Sequence, residues 1–297
     1  DYSLESIAWL LALYSNKNII VPVTSEIEKE ISDRINEISV DFIINLRLNT
    51  ISRLDETKER HKIVKNLNLN KKSGLIIFSS GSTGKPKAMI HDMDNLVSVS
   101  SSKRVRKMTF MIFLMFDHIG GINTLINCLS TGATMVIPKK RDPDEVICLI
   151  EKYRVQILPT SPTFLNLMLM SGSLEKHDTS SLRMITYGTE VMQDSLLIRL
   201  KEKFNRVKFL QTFGTSETGI MKSVSKSSSS TFIKLGDPNQ EYKIVNKELW
   251  IKSKTQVLGY MNHSMESFTD DGWFKTCLLY TSPSPRDRTR SRMPSSA

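Results

Sequence analysis

The chain has 297 residues, of which 39% are hydrophobic and 24% are charged, a balance that is ordinary for a globular enzyme. This length allows a large core in one or two domains. The longest apolar run, at 108–116, is too short to span a bilayer and suits a buried strand. Three cysteines without metal-ligand spacing argue against a disulfide framework, so we expect a cytoplasmic protein.

The formal net charge is +10, which raises the question of a nucleic-acid partner. The basic residues are spread along the chain, and aromatic side chains do not alternate with them. We therefore expect a solvated surface and no nucleic-acid partner. Salt-sensitive binding to DNA is the observation that would favour the alternative.

Helices and strands alternate along the first part of the chain. Residues 3–15 have a helical apolar pattern, and 19–23 predict a strand. Ser25 and Glu28 have the spacing of a capping box, and the helix after them has an apolar face formed by Ile27, Ile31, Ile35 and Ile38. Residues 41–46 predict the next strand.

The same alternation continues in the second hundred residues. Asp142 can cap a helix whose first position is Pro143, and the stripe predicted to be buried is Val146, Leu149, Ile150 and Tyr153. Another helix is predicted at 119–129. Strands are predicted at 108–116, 133–137, 155–158, 183–186 and 207–213. The sequence therefore predicts an α/β fold with parallel sheets flanked by helices.

The pattern changes after Gly219. A serine-rich stretch at 223–230 predicts a surface loop, and alternating apolar residues at 242–251 predict antiparallel strands. We therefore expect an α/β region at 1–222 and a β-rich subdomain at 231–276.

The last residues, 277–297, are rich in Pro, Ser and Arg and have no helical or strand period, as in disordered segments. Their first letters, "CLLYTSPSPRD", resemble an in-frame translation of a transposase sequencing adapter. We expect the natural reading frame to stop at Thr276, and we exclude this tail from fold reasoning.

A glycine- and hydroxyl-rich loop, "FSSGSTGKPKA" at 78–88, follows a short apolar run. Glycine allows close backbone approach and the hydroxyls can donate to phosphate, so the composition is typical of a phosphate-binding loop. A polar surface loop is the alternative. The ordinary nucleotide-hydrolase loop needs Ser or Thr at the position of Pro86, so we do not expect a loop of that kind here. We predict that "MIHDMDNLV", directly after the loop, opens a helix.

Two further loops, at 187–190 and 212–219, also follow predicted strands, and they contain the carboxylates of Glu190 and Glu217. In open α/β sheets, ligands bind beyond the carboxyl ends of the strands. We therefore predict that the three loops meet at one edge and hold a nucleotide and its metal ion.

These motifs resemble those of the AMP-forming adenylating enzymes, which include acyl-CoA synthetases, peptide-synthetase adenylation domains and luciferases. The 78–88 loop resembles the family's phosphate loop, with Ala88 where Gly is usual. "FDHIGG" at 116–121 resembles the segment whose histidine borders the acyl pocket. "TFGTSETG" resembles the Tyr-Gly-x-Thr-Glu motif, with Phe213 and Ser216 substituted. "ELWIKSKTQVLGYMN" and "DGWFKT" complete a resemblance that covers nearly all of 1–276.

The resemblance implies a large α/β domain with a small β-barrel-like subdomain near its end. It also implies a reaction in which ATP and a carboxylic acid form an acyl-adenylate with release of pyrophosphate, and the acyl group then passes to coenzyme A. The acid is expected to be a fatty or an aryl acid. Mg²⁺ is the expected metal, because it accompanies the triphosphate.

The resemblance also assigns roles to residues. The catalytic residues are Ser216, which contacts the α-phosphate, Glu217, which holds Mg²⁺, and Lys87. The acid pocket includes His118 and Gly121. The phosphates are bound by Ser79, Ser80, Gly81, Ser82, Thr83, Gly84 and Lys87. The adenine is contacted by Gly188, Thr189, Glu190, Thr212, Phe213 and Gly214.

Each of these roles has a simpler structural or functional alternative. His118 can be a buried residue at a helix start, Glu190 can cap the helix that follows it, and Lys85 can be solvated. The acceptor can be a carrier protein, although "FDHIGGINTL" looks more like the stand-alone acyl-CoA synthetases. A nucleotide-binding module without catalysis is a further alternative.

The family pattern continues after "GWFKT" with Gly-Asp, whose aspartate holds the ribose, and then with a small domain that brings a lysine to the reacting phosphate. Here Cys277 stands at that place. The start resembles the interior of the usual N-terminal region. We therefore expect a fragment that binds ATP weakly and turns over slowly or not at all.

Overall fold

The computed structural model describes residues 2–54, 59–79, 86–101, 105, 107–221, 223–225, 233–236 and 238–279. Its α-helices are α1 (Leu4–Ser15), α2 (Glu28–Glu37), α3 (Lys62–Leu69), α4 (Met93–Ser101), α5 (Ile119–Thr131), α6 (Pro143–Tyr153), α7 (Pro162–Met170) and α8 (Asp194–Lys203). None of these helices is long and apolar enough to cross a bilayer.

The strands of the described chain fall into two larger sheets and several small ones. They are β1 (Ile19–Ile20), β2 (Phe42–Asn45), β3 (Thr50–Arg53), β4 (Gly74–Ser79), β5 (Lys87–Asp92), β6 (Thr109–Met111), β7 (Thr134–Val136), β8 (Ile157–Thr160), β9 (Met184–Tyr187), β10 (Lys208–Gln211), β11 (Phe213–Thr215), β12 (Gly219–Met221), β13 (Ser223–Ser225), β14 (Ile233–Leu235), β15 (Gln240–Val245), β16 (Glu248–Ser253), β17 (Gly259–Tyr260) and β18 (Phe274–Leu279).

The first sheet has five parallel strands in the order β10-β9-β8-β6-β7. Helix α6 begins as predicted, because the Asp142 carboxylate accepts from the first two free amides and Pro143 follows it. Its buried stripe is Val146, Ile147 and Ile150, whereas Tyr153 is 49% exposed. The predicted stripe is therefore wrong at Tyr153, since the helix presents a neighbouring face to the sheet.

The second sheet has the order β1-β4-β5-β17, and β4 and β5 form an antiparallel hairpin around the phosphate-loop segment. The prediction that a helix opens directly after this loop is wrong. Ala88, Met89 and Ile90 are wholly buried in β5, and α4 begins only at Met93. A continuous apolar run of this length suits a buried strand as well as a helix, and burial on both faces decides for the strand.

The residues between β1 and β4 depart from two predictions. Helix α2 has no capping box, because the hydroxyl of Ser25 donates to Glu30 and the helix begins three residues later. The 41–46 segment is not a strand of the parallel sheets, since β2 pairs with β3 alone in an antiparallel hairpin. The Asn45 side chain, which accepts from two turn amides, and the left-handed backbone of Asn49 make that reversal.

The β-rich part contains the three-stranded antiparallel sheet β15-β16-β18. Strand β17 leaves this subdomain and pairs with β5 of the second sheet, as Gly259 with Ile90. Strand β18 extends to Leu279, so Cys277 to Leu279 are ordered as strand and not disordered as we expected. Cys277 has a left-handed φ of 60°, beside a register shift between β16 and β18. The rest of the tail lies outside the described residues.

Candidate nucleotide-binding site

Two of the predicted loops meet where the neighbouring parallel strands β9 and β10 end. The amide of Thr212 donates to the carbonyl oxygen of Tyr187 at 2.7 Å, and the Thr212 hydroxyl donates to the same oxygen at 3.1 Å. A Cβ on Gly188 would lie 2.5 Å from the Thr212 hydroxyl oxygen, so glycine is required there. Gly188 and Thr212, both predicted adenine contacts, are therefore direct neighbours.

The next two residues are held by local contacts. Thr189 has a left-handed φ of 68°, and its hydroxyl donates to the carbonyl of Gly188 at 2.5 Å. One carboxylate oxygen of Glu190 accepts from the amide and the hydroxyl of Thr163 at 3.1 and 2.5 Å. Glu190 therefore caps the preceding helix, α7, and the alternative that it caps the following helix is wrong.

The third loop is the turn of the β11–β12 hairpin, which carries Ser216 and Glu217 at its tip. Behind them Thr218 is buried, and its carbonyl accepts from the hydroxyl of Thr255 at 2.9 Å. Gly219 has a φ of 77°, and a Cβ there would lie 2.6 Å from the same hydroxyl oxygen. The turn therefore has a fixed conformation, with Ser216 and Glu217 half-buried. Phe213 and Gly214 lie in β11, and any side chain at 214 would strike β12.

Tyr260 connects this turn to the phosphate-loop segment. Its hydroxyl donates to a Glu217 carboxylate oxygen at 3.1 Å, and the Lys87 Nζ lies 5.8 Å from the centre of its ring. Burial and the nearby Glu217 charge raise the pKa of Tyr260 well above its ordinary value, so the phenol stays protonated and donates. Strand β17 thus brings the predicted phosphate lysine and the predicted metal ligand to one aromatic ring.

The exit of the phosphate loop is fixed by Asn262. Its carbonyl oxygen accepts from the amide of Ala88 at 2.9 Å, and its amide donates to the carbonyl of Pro86 and to the carboxylate of Glu37, each at 3.0 Å. Sequence patterns assigned no role to Tyr260 or Asn262, although both lie in the "GYMN" end of a segment that carried the resemblance. The resemblance of that segment to the family was the sequence signal that could have pointed to these two residues.

The phosphate loop itself is described only at its two ends. Ser79 ends β4 opposite Lys87, which begins β5. The predicted phosphate-binding residues between them lie outside the described residues: Ser80, Gly81, Ser82, Thr83 and Gly84. The loop does not leave the same sheet as the other two, which corrects the prediction of a single sheet edge. Tyr260 contacts both Lys87, the first residue of β5, and Glu217 in the β11–β12 turn.

His118 precedes α5, and 54% of its side chain is exposed, so the alternative of a buried helix-start residue is wrong. Its neighbour Asp117 is buried, with one oxygen 2.9 Å from the Arg34 guanidinium. Burial would raise the pKa of Asp117, but hydrogen bonds from Arg34 and Thr24 outweigh it and hold the pKa below its usual value. Arg34 also stacks on Phe78, 5.5 Å from the ring centre.

Gly121, the second predicted pocket residue, has a packing role. A Cβ at this position would lie 2.0 Å from the carbonyl oxygen of Met115, in the loop before α5. Glycine therefore allows α5 to pack against the loop that carries His118.

A magnesium ion fits the residues that are present. In the described part of the chain, no three His, Cys, Asp or Glu side chains form a metal-binding cluster. Mg²⁺ is usually held by one or two carboxylates together with substrate phosphates and water. Glu217, half-buried at the turn and hydrogen-bonded to Tyr260, is a donor of that kind. The arrangement suits an ion that arrives with a triphosphate.

The fold and these turns define a protein of the adenylating class, and comparison with known families agrees. Residues 1–261 match the family model described as AMP-binding enzyme, and the chain belongs to this family. The predicted family and the predicted α/β fold are thereby confirmed.

Curated relatives are CoA ligases. The chain is 27% identical over 234 residues to 4-coumarate–CoA ligase-like 9 of Arabidopsis thaliana, covering 68% of this chain and 41% of that protein. It is 31% identical over 150 residues to indoleacetate–CoA ligase of Aromatoleum aromaticum, covering 48% of this chain and 29% of that protein. The chain spans about two fifths of the length of the first relative, from the 41% coverage.

Solved structures share the fold. The luciferase-like enzyme of the mealworm Zophobas morio matches with a TM-score of 0.64 and 22% identity, over 94% of this chain and 72% of that one. The o-succinylbenzoate CoA synthetase of Bacillus subtilis in complex with AMP matches with a TM-score of 0.56 and 25% identity, over 69% of this chain and 46% of that one.

Proposed function

We propose that this chain carries the nucleotide- and acid-binding region of an AMP-forming acyl-CoA synthetase. The observation that carries the proposal is the contact of Tyr260 with both Glu217 and Lys87. A cation from the phosphate-loop segment and a carboxylate from a distant hairpin are thereby placed around one region, as a magnesium–triphosphate requires.

In the proposed reaction, a carboxylate oxygen of the acid attacks the α-phosphorus of ATP. A new carboxyl oxygen–phosphorus bond forms, and the bond from the α-phosphorus to the bridging oxygen breaks, so pyrophosphate leaves with the electron pair. The acid is already ionised at neutral pH, so no base is needed. Catalysis then depends on orientation and on neutralising phosphoryl charge.

The chain's own residues divide this work. Lys87 and the loop before it neutralise charge on the β- and γ-phosphates, and Ser216 contacts the α-phosphate. Glu217, oriented by the Tyr260 hydroxyl, holds the ion, which supplies Lewis-acid stabilisation of the phosphates when bound. Gly188 and Thr212, which are direct neighbours, contact the adenine, and the exposed His118 borders the acid.

The acceptor is proposed to be coenzyme A rather than a carrier protein, because the curated relatives are named as CoA ligases. Two of them are named for the aromatic acids 4-coumarate and indoleacetate, which supports an aryl acid, with a fatty acid as the alternative. We place the activity in the cytoplasm.

Titration of the chain with ATP, with and without Mg²⁺, tests the proposal. We expect Mg²⁺-dependent binding that weakens about tenfold or more in Glu217→Gln and in Lys87→Ala, the loss typical of a charge-assisted contact. Glu241→Gln is the matched control, because Glu241 is an exposed carboxylate on β15. Equal affinities in all four proteins, or no binding by the unaltered chain, would refute the proposed function.

Acceptor choice needs a separate measurement. Adenylation is followed by acid-dependent exchange of labelled pyrophosphate into ATP, and transfer by thioester formation on free coenzyme A or on a carrier protein. Thioester on the carrier alone would replace coenzyme A as acceptor. These assays use a full-length version of the protein, in which ATP binding with no exchange for any acid would favour a nucleotide-binding module without catalysis.

A further inference from the structure

His91 is a wholly buried polar residue that the reaction described above does not use. It lies on β5, in register with Leu75 of β4 and four residues after Lys87. Its Nδ1 lies 3.1 Å from the carbonyl oxygen of Thr255. A carbonyl oxygen only accepts, so Nδ1 carries the proton and donates.

The ring is neutral. Burial lowers the pKa of His91 to about 4, against the opposing effect of hydrogen bonding to the backbone of Thr255 and Ser216. A buried imidazole without a partner would be costly, and an apolar side chain would fill the same volume without that desolvation. What the imidazole adds is a directional link from β5 to the segment at 255–257.

That segment in turn holds the hairpin turn with Ser216 and Glu217. The amide of Val257 donates to the Glu217 carbonyl at 2.8 Å, and the Thr255 hydroxyl donates to the Thr218 carbonyl at 2.9 Å. The backbone of Ser216 lies near the His91 ring, and Nε2 has no hydrogen-bond partner among the described residues, so the link runs through Nδ1. The imidazole therefore lies between the strand that begins with Lys87 and the backbone that presents Glu217.

We propose that His91 is a positioning residue that sets the distance between the two phosphate-binding motifs. It links β5 to the turn of Ser216 and Glu217, so that Lys87 and the metal-binding carboxylate are held at a fixed separation. The inference rests on the proposed function and deepens it. His91 touches neither ATP nor the ion, and it acts through the turn.

Two variants separate the link from simple packing. His91→Leu fills the cavity without a donor, and His91→Asn keeps an amide N–H near the position of Nδ1. We expect the leucine variant to lose Mg²⁺-dependent ATP affinity by about 10- to 100-fold, the range for groups that orient metal-binding side chains. Binding of ATP in the presence of a chelator should change little, and the asparagine variant should recover most of the loss.

Ile90→Ala is the control for instability. Ile90 precedes His91 in the same buried strand, and its side chain points to the opposite face, away from the turn. We expect it to lower the thermal midpoint at least as much as His91→Leu does and to leave the Mg²⁺-dependent affinity unchanged. Thr255→Val, which removes the hydroxyl to the Thr218 carbonyl, should reproduce the Mg²⁺-selective loss even if the leucine variant does not fold.

The inference is overturned if the folded leucine variant binds Mg²⁺ and ATP as the unaltered chain does, if asparagine gives no recovery, or if Ile90→Ala shows the same selective loss. Normal Mg²⁺-dependent affinity in Thr255→Val would also overturn it. These results leave the proposed function intact when the unaltered chain binds. Absence of Mg²⁺-dependent binding in the unaltered chain would refute both.

Discussion

Replacing Tyr260 by phenylalanine removes the hydroxyl that donates to Glu217 and keeps the aromatic ring. The ring should hold its place, because it packs 5.9 Å from Phe268 and the side chain is only 5% exposed. The change therefore isolates one hydrogen bond to a carboxylate, on which the proposed link between Lys87 and Glu217 depends.

The structure sets the size of the effect. A hydrogen bond to a charged group contributes about 1.5–3 kcal/mol to stability. The oxygen–oxygen distance of 3.1 Å is long for an O–H donor, and the half-buried Glu217 can recover part of the loss from water. We therefore expect the lower end, about 1.5 kcal/mol, which is about tenfold in the folding equilibrium.

Urea unfolding of the unaltered chain and of Tyr260→Phe measures this difference, and titration with ATP and Mg²⁺ shows whether the freed Glu217 binds more weakly. Tyr242→Phe is the control, because Tyr242 is 49% exposed on β15 and its hydroxyl removal should be nearly neutral. If the two variants differ from the unaltered chain equally, in both stability and Mg²⁺-dependent affinity, the reasoning about this contact is refuted.

Three other predictions test separate parts of the molecule. Gly121→Ala forces a Cβ against backbone and should cost about 3 kcal/mol in urea unfolding, whereas Gly120→Ala has open space and should be neutral or stabilising. Asp117→Ala leaves the charge of Arg34 without its partner and should lower the free energy of unfolding by about 2 kcal/mol, which is below the range for a fully buried pair because Arg34 reaches solvent. Adding Arg34→Met should restore at least half of that free energy. Because the pKa of His91 is lowered in the folded state, the free energy of unfolding should fall as pH drops from 6.5 towards about 4: in that range the unfolded chain binds a proton at His91 and the folded chain does not. The loss is on the order of 3 kcal/mol and should be absent in His91→Asn.

Each of these has an opposing result. Equal stability of the two glycine variants would contradict the close approach of α5 to its preceding loop. Additive losses in the double variant would show that Asp117 and Arg34 do not act as a pair. A pH dependence that is the same with asparagine at 91 would assign the acid loss to other groups, such as the carboxylates whose pKa values are lowered in the folded state.

Local chemistry predicted much of the fold. Asp142 and Pro143 fixed the start of α6, because capping and the proline φ act within one turn. The strands of the parallel sheet were found from short apolar runs. The β5 strand was missed, since a run buried on both faces has no period that separates strand from helix. The pairing of β17 with β5 joins residues far apart in the chain, and no local pattern contains it.

In the candidate site, too, local motifs were predicted from the sequence and tertiary contacts were not. Glycines with a steric reason, such as Gly188 and Gly219, lay in motifs that sequence patterns had already selected. The alternative that Glu190 caps the helix after it was wrong, because its contact with Thr163 depends on how α7 packs against the sheet. Tyr260 and His91 gained their roles only from tertiary pairing. In this chain the residues proposed to bind ligands came from sequence motifs, whereas those proposed to hold them in place came from the tertiary structure.

The pairing of β17 with β5 also limits how this chain can be divided. The serine-rich stretch looks like a natural place to separate the α/β region from the β-rich part. A piece cut there would lose its partner along the main-chain groups of Ala88 and Ile90, which accept from Met261 and Leu258 at 2.8 and 2.7 Å. The second sheet would then carry an open edge beside the phosphate loop, a ready template for aggregation. Any shortened version intended for binding studies should therefore keep the chain at least through Asn262.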